Sequence, residues 1–305
     1  MRSRLVSVKE QALKASWRLE EVIATDKLTK KYGDITAIED LDLKVHAGEI
    51  FGFLGPNGAG KTTTIRVVTT LTKPTSGHAS VSGFDVVNEP DKVKKVIGVV
   101  QQHLSLDRDL TVRENMELRA RLHHISSSER KKRIDEWLDY VGLTDQANRI
   151  IEELSGGMKK RVSIVSSLMH KPKVLFLDEP TVGLDAQTRR RLWELIRRLN
   201  LDGTTIFLTT HYIEEAEALC QRVGILHHGR LIAVGKPLEL RKKLGLVTVE
   251  TLVHNKETHY QYFADRAEAT SYVQNLPPDV KTIIIRNSNL EDVFVEETGE
   301  KVEDD

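Results

Sequence analysis

The chain has 305 residues, and its 45 Lys plus Arg balance its 45 Asp plus Glu, so the formal net charge is zero. This length suits one large α/β domain with a small addition, and the neutral charge gives no general case for nucleic-acid binding. The single cysteine, Cys220, excludes an intramolecular disulfide. The sequence contains no run of about 18 apolar residues, the length that a membrane-spanning helix needs. The basic N-terminus lacks the apolar stretch of a signal peptide.

The first part of the chain divides into an extension and an α/β pattern. Residues 1–22 are polar and are predicted to form an N-terminal extension. From about 23 to 240, short strands alternate with helices, which predicts a parallel sheet with helices on its faces. Three segments have the length of buried strands: Glu49–Leu54, Val174–Leu177 and Thr204–Thr209. Between the last two, apolar residues at helical spacing form one buried stripe: Leu192, Leu195, Ile196 and Leu199.

A helical insertion interrupts this pattern. The segment from about 105 to 158 has strong helix starts and little strand signal. Two pairs have the spacing of capping boxes: Thr111 with Glu114, and Ser126 with Glu129. A helical stripe follows the second pair and is expected to stop at a glycine: Ile134, Trp137, Leu138, Val141 and then Gly142.

The pattern of predicted elements changes again in the last sixty residues. Residues 246–305 are predicted to form a small α+β appendage. Its expected elements are a strand, a helix and a strand: Val247–Val253, Ala264–Leu276 and Thr282–Ile285. Ser288 and Glu291 have capping-box spacing, which predicts a final short helix.

The loop Gly55–Thr62 reads GPNGAGKT and fits GxxxxGK[ST] between a predicted strand and a helix. Its glycines let several backbone N–H groups point inward, and the helix adds the positive end of its dipole. Lys61 is then positioned to reach the β- and γ-phosphates, and Thr62 to offer a hydroxyl to Mg²⁺. An ordinary glycine turn is the alternative, but the strand–loop–helix context favours a site for ATP and Mg²⁺.

The buried strand Val174–Leu177 ends in two acids, Asp178 and Glu179. Unpaired carboxylates among apolar neighbours are costly, and a metal ion with an attacking water would explain both. Asp178 is the expected Mg²⁺ ligand, and Glu179 is the expected general base. Two solvated acids at an ordinary strand end are the alternative.

A second glycine motif, Leu154–Met158 (LSGGM), lies before Asp178 at a predicted helix start. It resembles the LSGGQ signature of the ATP-binding cassette (ABC) family, which other P-loop ATPases lack. The resemblance covers about residues 23 to 240. It implies an α/β P-loop NTPase fold with a RecA-like core, an antiparallel β subdomain, an inserted helical subdomain and a C-terminal appendage. The implied division is an extension at 1–22, an ATPase domain at 23–245 with helices at about 105–158, and an accessory domain at 246–305.

The resemblance also implies roles that involve a second subunit. In ABC proteins the signature loop faces the ATP held by another copy, so Ser155, Gly156 and Gly157 would grip the partner's γ-phosphate. Asp185 matches the D-loop aspartate that contacts the partner. Tyr32 matches the aromatic residue that stacks on adenine.

Two further positions complete the implied catalytic set. Gln102 matches the Q-loop glutamine, which touches Mg²⁺ or the attacking water and senses the permease. His211 matches the switch histidine that holds the γ-phosphate. The implied catalytic residues are Lys61, Gln102, Glu179 and His211, and the implied metal ligands are Thr62, Gln102 and Asp178. The implied nucleotide-binding residues are Tyr32, Gly55, Pro56, Asn57, Gly58, Ala59, Gly60, Lys61, Thr62, Thr63, Ser155, Gly156, Gly157 and Asp185.

Three departures from the family pattern put local contacts in doubt. Gln101 stands where proline is usual, which affects the backbone before Gln102. Met158 replaces the signature glutamine and removes its amide. Val182–Gly183 replaces the more usual small pair before Leu184.

The C-terminal end points to one branch of the family. Asn289–Phe294 reads NLEDVF and resembles the ending of daunorubicin/doxorubicin-resistance ATP-binding subunits, and Met158 followed by Lys159–Arg161 is similar. This implies export of a drug-like or amphipathic compound through a separate integral-membrane permease. The chain would then sit at the cytoplasmic face of the membrane, beside an identical or paralogous ATPase subunit, with no nucleic acid.

Three alternatives remain open at this level. A soluble, non-transport ABC ATPase is disfavoured because only about 95 residues without sustained heptads separate the two glycine motifs. An importer subunit shares every core motif. A regulatory cassette that binds ATP without hydrolysis usually lacks one of the residues Glu179, His211 and Lys61, and all three are present.

Overall fold

The computed structural model describes residues 20–102, 105–252, 258–277, 280 and 282–299. Most of the predicted extension therefore lies outside the described residues, and its last two positions, Glu21 and Val22, already belong to the first strand. Residues 300–305 of the predicted accessory domain also lie outside. Among the described helices, none is both long and apolar enough to cross a membrane.

The first sheet is antiparallel and has the strand order β2-β1-β4-β5. Its strands are β1 Glu21–Tyr32, β2 Ile35–His46, β4 Ser76–Val81 and β5 Phe84–Asp85. In β2, the buried residues Leu41, Leu43 and Val45 alternate with the exposed residues Asp42 and Lys44, as expected of an antiparallel sheet with one solvated face. This sheet is the antiparallel β subdomain that the family resemblance implied.

The central sheet has the order β10-β9-β3-β8-β7-β6, and only β10 runs antiparallel to its neighbour. Its strands are β3 Ile50–Leu54, β6 Ile97–Val100, β7 Val174–Asp178, β8 Thr205–Thr210, β9 Arg222–His227 and β10 Arg230–Gly235. The surrounding helices include α1 Lys61–Val68, α2 Pro90–Val96, α6 Ala186–Leu201 and α7 Ile213–Leu219. The three predicted strands agree with the structure to within one residue, and the predicted stripe of α6 is buried.

Alternating side chains of the central sheet pack into two separate hydrophobic cores, one on each face of the sheet. In β3, Phe51 and Phe53 lie in the apolar cluster that includes the antiparallel sheet and α1, whereas Ile50 and Leu54 lie in the cluster that includes the helical insertion, α6 and α7. Phe207 of β8 lies 5.5 to 5.7 Å, between ring centroids, from the rings of Phe51, Phe53 and Phe176. Strands buried on both faces read as continuous apolar runs, and this explains why the three strand predictions succeeded.

Cys220 packs at the same level of the sheet as Gly52. A Cβ added to Gly52 would collide with the sulfur of Cys220, so only glycine allows this close approach of β3 to the end of α7. The thiol is buried, and burial raises the pKa of Cys220 well above its usual value.

The insertion predicted at about 105–158 is helical. It contains α3 Val112–Leu122, α4 Ser127–Tyr140, two 3₁₀ turns at Thr144–Gln146 and Ile151–Glu153, and the start of α5 Gly156–Ser167. The capping box of Thr111 with Glu114 is confirmed. The one predicted for Ser126 with Glu129 is wrong: Ser126 is the N-cap but forms no cap bond, and the Glu129 carboxylate accepts from Arg133 instead.

The C-terminal segment forms a third, antiparallel sheet in the order β12-β11-β13. Its elements are α8 Pro237–Leu244, β11 Val247–Leu252, β12 Thr258–Phe263, α9 Arg266–Gln274, β13 Thr282–Asn287 and α10 Leu290–Thr298. Sequence analysis missed β12, and the predicted position Val253 lies outside the described residues. The capping box at Ser288 and Glu291 is also wrong by one residue. Asn289 and Asp292 form the box, because the Ser288 hydroxyl is hydrogen-bonded to Thr248.

Helix α10 connects this segment to the central core. Leu290, Val293 and Phe294 lie in the same apolar cluster as the helices of the ATPase fold. The Leu290 backbone N–H donates to Glu217 of α7 at 3.1 Å, and Arg241 of α8 lies 3.7 Å from the same carboxylate. The C-terminal segment is thus fixed to the core by apolar packing and by a shared carboxylate.

The two caps of the helical insertion give a matched stability test. Thr111→Ala removes the two bonds of the threonine hydroxyl, which accepts from the Glu114 N–H and donates to the Glu114 carboxylate. We expect a loss of about 1 kcal/mol in the free energy of unfolding, measured by urea denaturation. Ser126→Ala is the control and should lose less than half as much. Equal losses would show that the cap bonds do not stabilise α3.

Candidate functional site

The loop after β3 forms a cradle of backbone groups. Gly58 and Gly60 have φ values of 80° and 107°, in the region that favours glycine. A Cβ at Gly60 would collide with the carbonyl of Ala37, so the neighbouring sheet also requires glycine there. Helix α1 then begins at Lys61 without a side-chain cap. Its first N–H groups therefore remain available to an anion.

Lys61 lies buried beneath this loop. Its Nζ donates to the carbonyls of Gly55 at 2.7 Å and Pro56 at 3.0 Å, and it lies 3.3 Å from Glu179 Oε1. Burial lowers the pKa of Lys61, while the nearby Glu179 opposes that shift. The ammonium group is consequently held at the inner side of the cradle.

Asp178, at the end of β7, is connected to two threonine hydroxyls. Thr209 of β8 donates to Asp178 Oδ1 at 2.6 Å, and Thr62 of α1 donates to the same oxygen at 3.2 Å. The Glu179 N–H in turn donates to the Thr209 hydroxyl at 3.0 Å. Sequence analysis did not select Thr209. The sequence feature that could have identified Thr209 is its position just before Thr210 and His211, at the end of a buried strand.

Glu179 is the most connected side chain of the site. Its Oε1 lies 3.3 Å from Lys61 and 3.4 Å from His211 Nδ1, and its Oε2 accepts from Gln102 Nε2 at 3.3 Å. The residue is buried and has a φ of 45°, which is strained for a side chain of this kind. Such backbone strain is typical of functional positions, where the surrounding contacts hold it.

The signature motif lies at a different place, the start of α5. Ser155 is the N-cap, and its Oγ accepts from the Met158 N–H at 3.3 Å. Gly157 faces Thr188 so closely that a Cβ would collide with it. Asp185 organises the same region, because it caps α6 through the N–H groups of Gln187 and Thr188 at 3.0 Å. Bonds from Thr188 lower the pKa of Asp185.

Tyr32 lies at the end of β1 with 43% of its surface exposed. Lys30 Nζ lies 4.8 Å from the centre of its ring. The exposed face leaves the ring able to stack on a flat ligand.

The structure therefore divides the predicted site residues into two groups. Contacts between side chains bring six of them together at the carboxyl ends of β3, β6, β7 and β8: Lys61, Thr62, Gln102, Asp178, Glu179 and His211. Within the described parts of one chain, no hydrogen bond or ion pair joins this cluster to Tyr32, Ser155 or Asp185. Parallel strands meet with their carboxyl ends at one edge, where ligands of open α/β sheets bind.

Comparisons with known proteins identify the family. The ABC transporter family profile matches residues 38–182. The chain is 38% identical to a daunorubicin resistance ATP-binding protein, DrrA3, of Streptomyces coeruleorubidus. The alignment has 306 positions and covers 92% of this chain and 97% of that protein. The chain is 37% identical to the Nod factor export ATP-binding protein I of Cupriavidus pinatubonensis, over 94% and 93% of the two chains.

A solved structure gives the same result. It is a dimeric, post-hydrolysis state of an ATP-binding cassette bound to ADP and Pi. It matches with a TM-score of 0.64 and 32% identity, over 70% of this chain and 98% of that one. These similarities confirm the predicted P-loop fold and favour a transporter subunit over a non-transport ATPase. The chain belongs to the ATP-binding subunits of ABC transporters, and it is an ATPase.

Proposed function

We propose that the chain binds ATP with Mg²⁺ at the Lys61–Glu179 cluster and hydrolyses it to energise export through a separate permease. The observation that carries this proposal is the convergence on Glu179 of Lys61, Gln102 and His211, directly beside the phosphate cradle. In this arrangement one acidic group is surrounded by donors suited to a phosphate.

Three side-chain oxygen groups of the cluster are suitable ligands for a magnesium ion. Asp178 offers a carboxylate, Thr62 a hydroxyl and Gln102 an amide oxygen, and these are the hard oxygen ligands that Mg²⁺ prefers. No group of three or more His, Cys, Asp or Glu suited to a metal occurs in the described ranges. This agrees with an ion that takes few protein ligands and relies on phosphates and water. The ion would offset phosphate charge.

Glu179 is the proposed general base. Its carboxylate is held at the cradle by Lys61 and His211, and it would take a proton from the water that attacks the γ-phosphate. When phosphate binds, the Lys61 ammonium can turn from Glu179 to phosphate oxygens, which leaves the carboxylate freer to accept that proton. His211 is then placed to donate to the γ-phosphate.

A second subunit would complete each site. Among the residues that the structure describes, no hydrogen bond joins Ser155, Gly156 or Gly157 to the cluster of their own chain, yet they form a helix N-terminus suited to phosphate. A head-to-tail dimer, with an identical or paralogous subunit, would bring this motif to the partner's ATP. Asp185 lies beside the motif, and Tyr32 would stack on adenine.

Export through a permease is supported by the relatives. One is named for daunorubicin resistance and another for Nod factor export. We propose that this chain likewise drives efflux of an amphipathic compound, from the cytoplasmic face of the membrane, through a permease that contacts the helical insertion and the Gln102 loop. Importer subunits share the same site chemistry, but the relatives named for daunorubicin resistance and for Nod factor export favour export.

Removal of the proposed base gives the first functional test. Glu179→Gln should retain ATP binding and lose at least about a hundredfold in turnover, the lower range of general-base catalysis. It should also accumulate an ATP-bound dimer in size-exclusion chromatography. Glu194→Gln, an exposed substitution on α6, is the control and should keep normal turnover. Turnover of Glu179→Gln at the unmodified rate would exclude Glu179 as the base.

Mixing of two inactive variants tests the shared site. Lys61→Ala removes the cradle lysine and Ser155→Arg blocks the signature motif, so each homodimer should be inactive. In a mixed dimer, both lesions fall in one site and the other site is intact. ATPase activity should therefore reappear on mixing. If the mixture stays inactive although mixed dimers form, the signature motif does not act across subunits.

The permease and the direction can be tested together. The tagged chain, purified from membranes of its native cell, should bring down a multi-span protein. Vesicles that contain both proteins, with the ATPase facing outward, should accumulate an amphipathic dye when ATP is added. Loss of preloaded dye on ATP addition, or an obligatory substrate-binding protein, would support import instead.

A further inference from the structure

A cavity of about 790 Å³ lies between the ATPase fold and the C-terminal sheet. Its walls come from β10 and α8 on one side and from β12 and α10 on the other. This volume is within the range of about 300–1,000 Å³ that is usual for small-molecule sites, which often lie between structural units. None of its lining residues belongs to the Lys61–Glu179 cluster.

The lining combines an apolar floor with two aromatic rings. Leu240, Leu244 and Val293 supply buried or half-buried aliphatic surface. Tyr260 and Tyr262, both half-buried, supply ring surface from alternate positions of β12. Aliphatic and aromatic surfaces of this kind bind the body of an organic ligand, and the rings also attract a cation to their faces.

The charged groups of the lining are mainly acidic. Glu296 and Glu297 of α10 line the cavity, and Lys243 is the single lysine or arginine among the lining residues. Neither glutamate is in an ion pair with any residue that the structure describes. By contrast, the adjacent carboxylates Glu250 and Asp292 are both paired with Arg286.

The electrostatic environment of Tyr262 agrees with this acidic character. Burial raises the pKa of Tyr262 to about 12, and the charges of Asp292 and Glu296 add to that shift. A cation that enters the cavity would therefore meet two phenol rings and the exposed carboxylates of Glu296 and Glu297, which form no ion pair within the described part of the chain. An anion would meet repulsion from the same carboxylates.

We propose that this cavity binds an organic cation with a flat apolar body, at a site separate from the nucleotide site. The aliphatic floor and the tyrosine rings hold the apolar body, and Glu296 and Glu297 attract the positive charge. This inference goes beyond the proposed function, since the site would exist whether the chain drives export or import.

Two dyes with the same ring system test the charge requirement. Rhodamine 6G is a xanthene cation and fluorescein is a xanthene anion. The full chain, with saturating ADP in every sample to occupy the nucleotide site, is titrated by fluorescence anisotropy. Rhodamine 6G should bind with one site per chain and at least roughly tenfold more tightly than fluorescein, because the charge and the rings act together.

Variants then locate the binding site. Glu296→Gln with Glu297→Gln should weaken rhodamine 6G binding roughly fivefold to tenfold. Glu129→Gln with Glu136→Gln removes the same charge from α4 and should leave binding unchanged. Val234→Trp adds bulk to an exposed lining position and should block binding while ATPase activity persists.

Three results would overturn the proposal. They are fluorescein binding as tight as rhodamine 6G binding, rhodamine binding that is insensitive to the Glu296 and Glu297 changes, and equal weakening by the α4 control. An unchanged thermal unfolding temperature in each variant excludes loss of the fold as the cause. Failure of the Glu179→Gln test would not affect these outcomes, so the two ideas can be separated.

Discussion

The ion pair between Lys61 and Glu179 connects the phosphate loop to the end of β7. Both groups are buried, at 4% and 7% exposure, so loss of one partner would leave a charge without compensation. Such a loss typically costs about 3–5 kcal/mol. The pair also fixes the position of Glu179 against its strained backbone. Gln102 and His211 contact the same carboxylate, so residues that follow three different strands meet at one side chain.

The features predictable from sequence were those with a local cause. The phosphate loop requires glycines at Gly58 and Gly60 because of its backbone angles. The central strands are apolar on both faces, so each one appears in the sequence as a short continuous apolar run. The position of Asp178 and Glu179 at a strand end then placed them at the ligand-binding edge of a parallel sheet. Local sequence was therefore sufficient for the central strands and for Lys61, Thr62, Asp178 and Glu179, whereas Gln102 and His211 were identified through the family resemblance.

The features that sequence did not reveal depend on contacts distant in the chain. Ser288 and Asn289 are both good caps, and the hydrogen bond between the Ser288 and Thr248 hydroxyls engages the Ser288 side chain away from the helix. Strand β12 is an edge strand whose residues are mostly exposed or half-buried, so it has little apolar signal. Thr209 gains its role from Asp178, 31 positions away. In the proposed dimer, Ser155 would act on the nucleotide of a second subunit, and a single chain does not contain that contact.

The close approach of Gly52 to Cys220 has a practical consequence. The only thiol of the chain is buried and has a raised pKa, so little of it exists as the reactive thiolate at neutral pH. Maleimide or spin-label reagents should therefore react very slowly, if at all, with the natural protein. A single cysteine introduced on the surface would carry a label alone, without replacement of the native residue. Distances between labels in two subunits could then be followed during the ATP cycle.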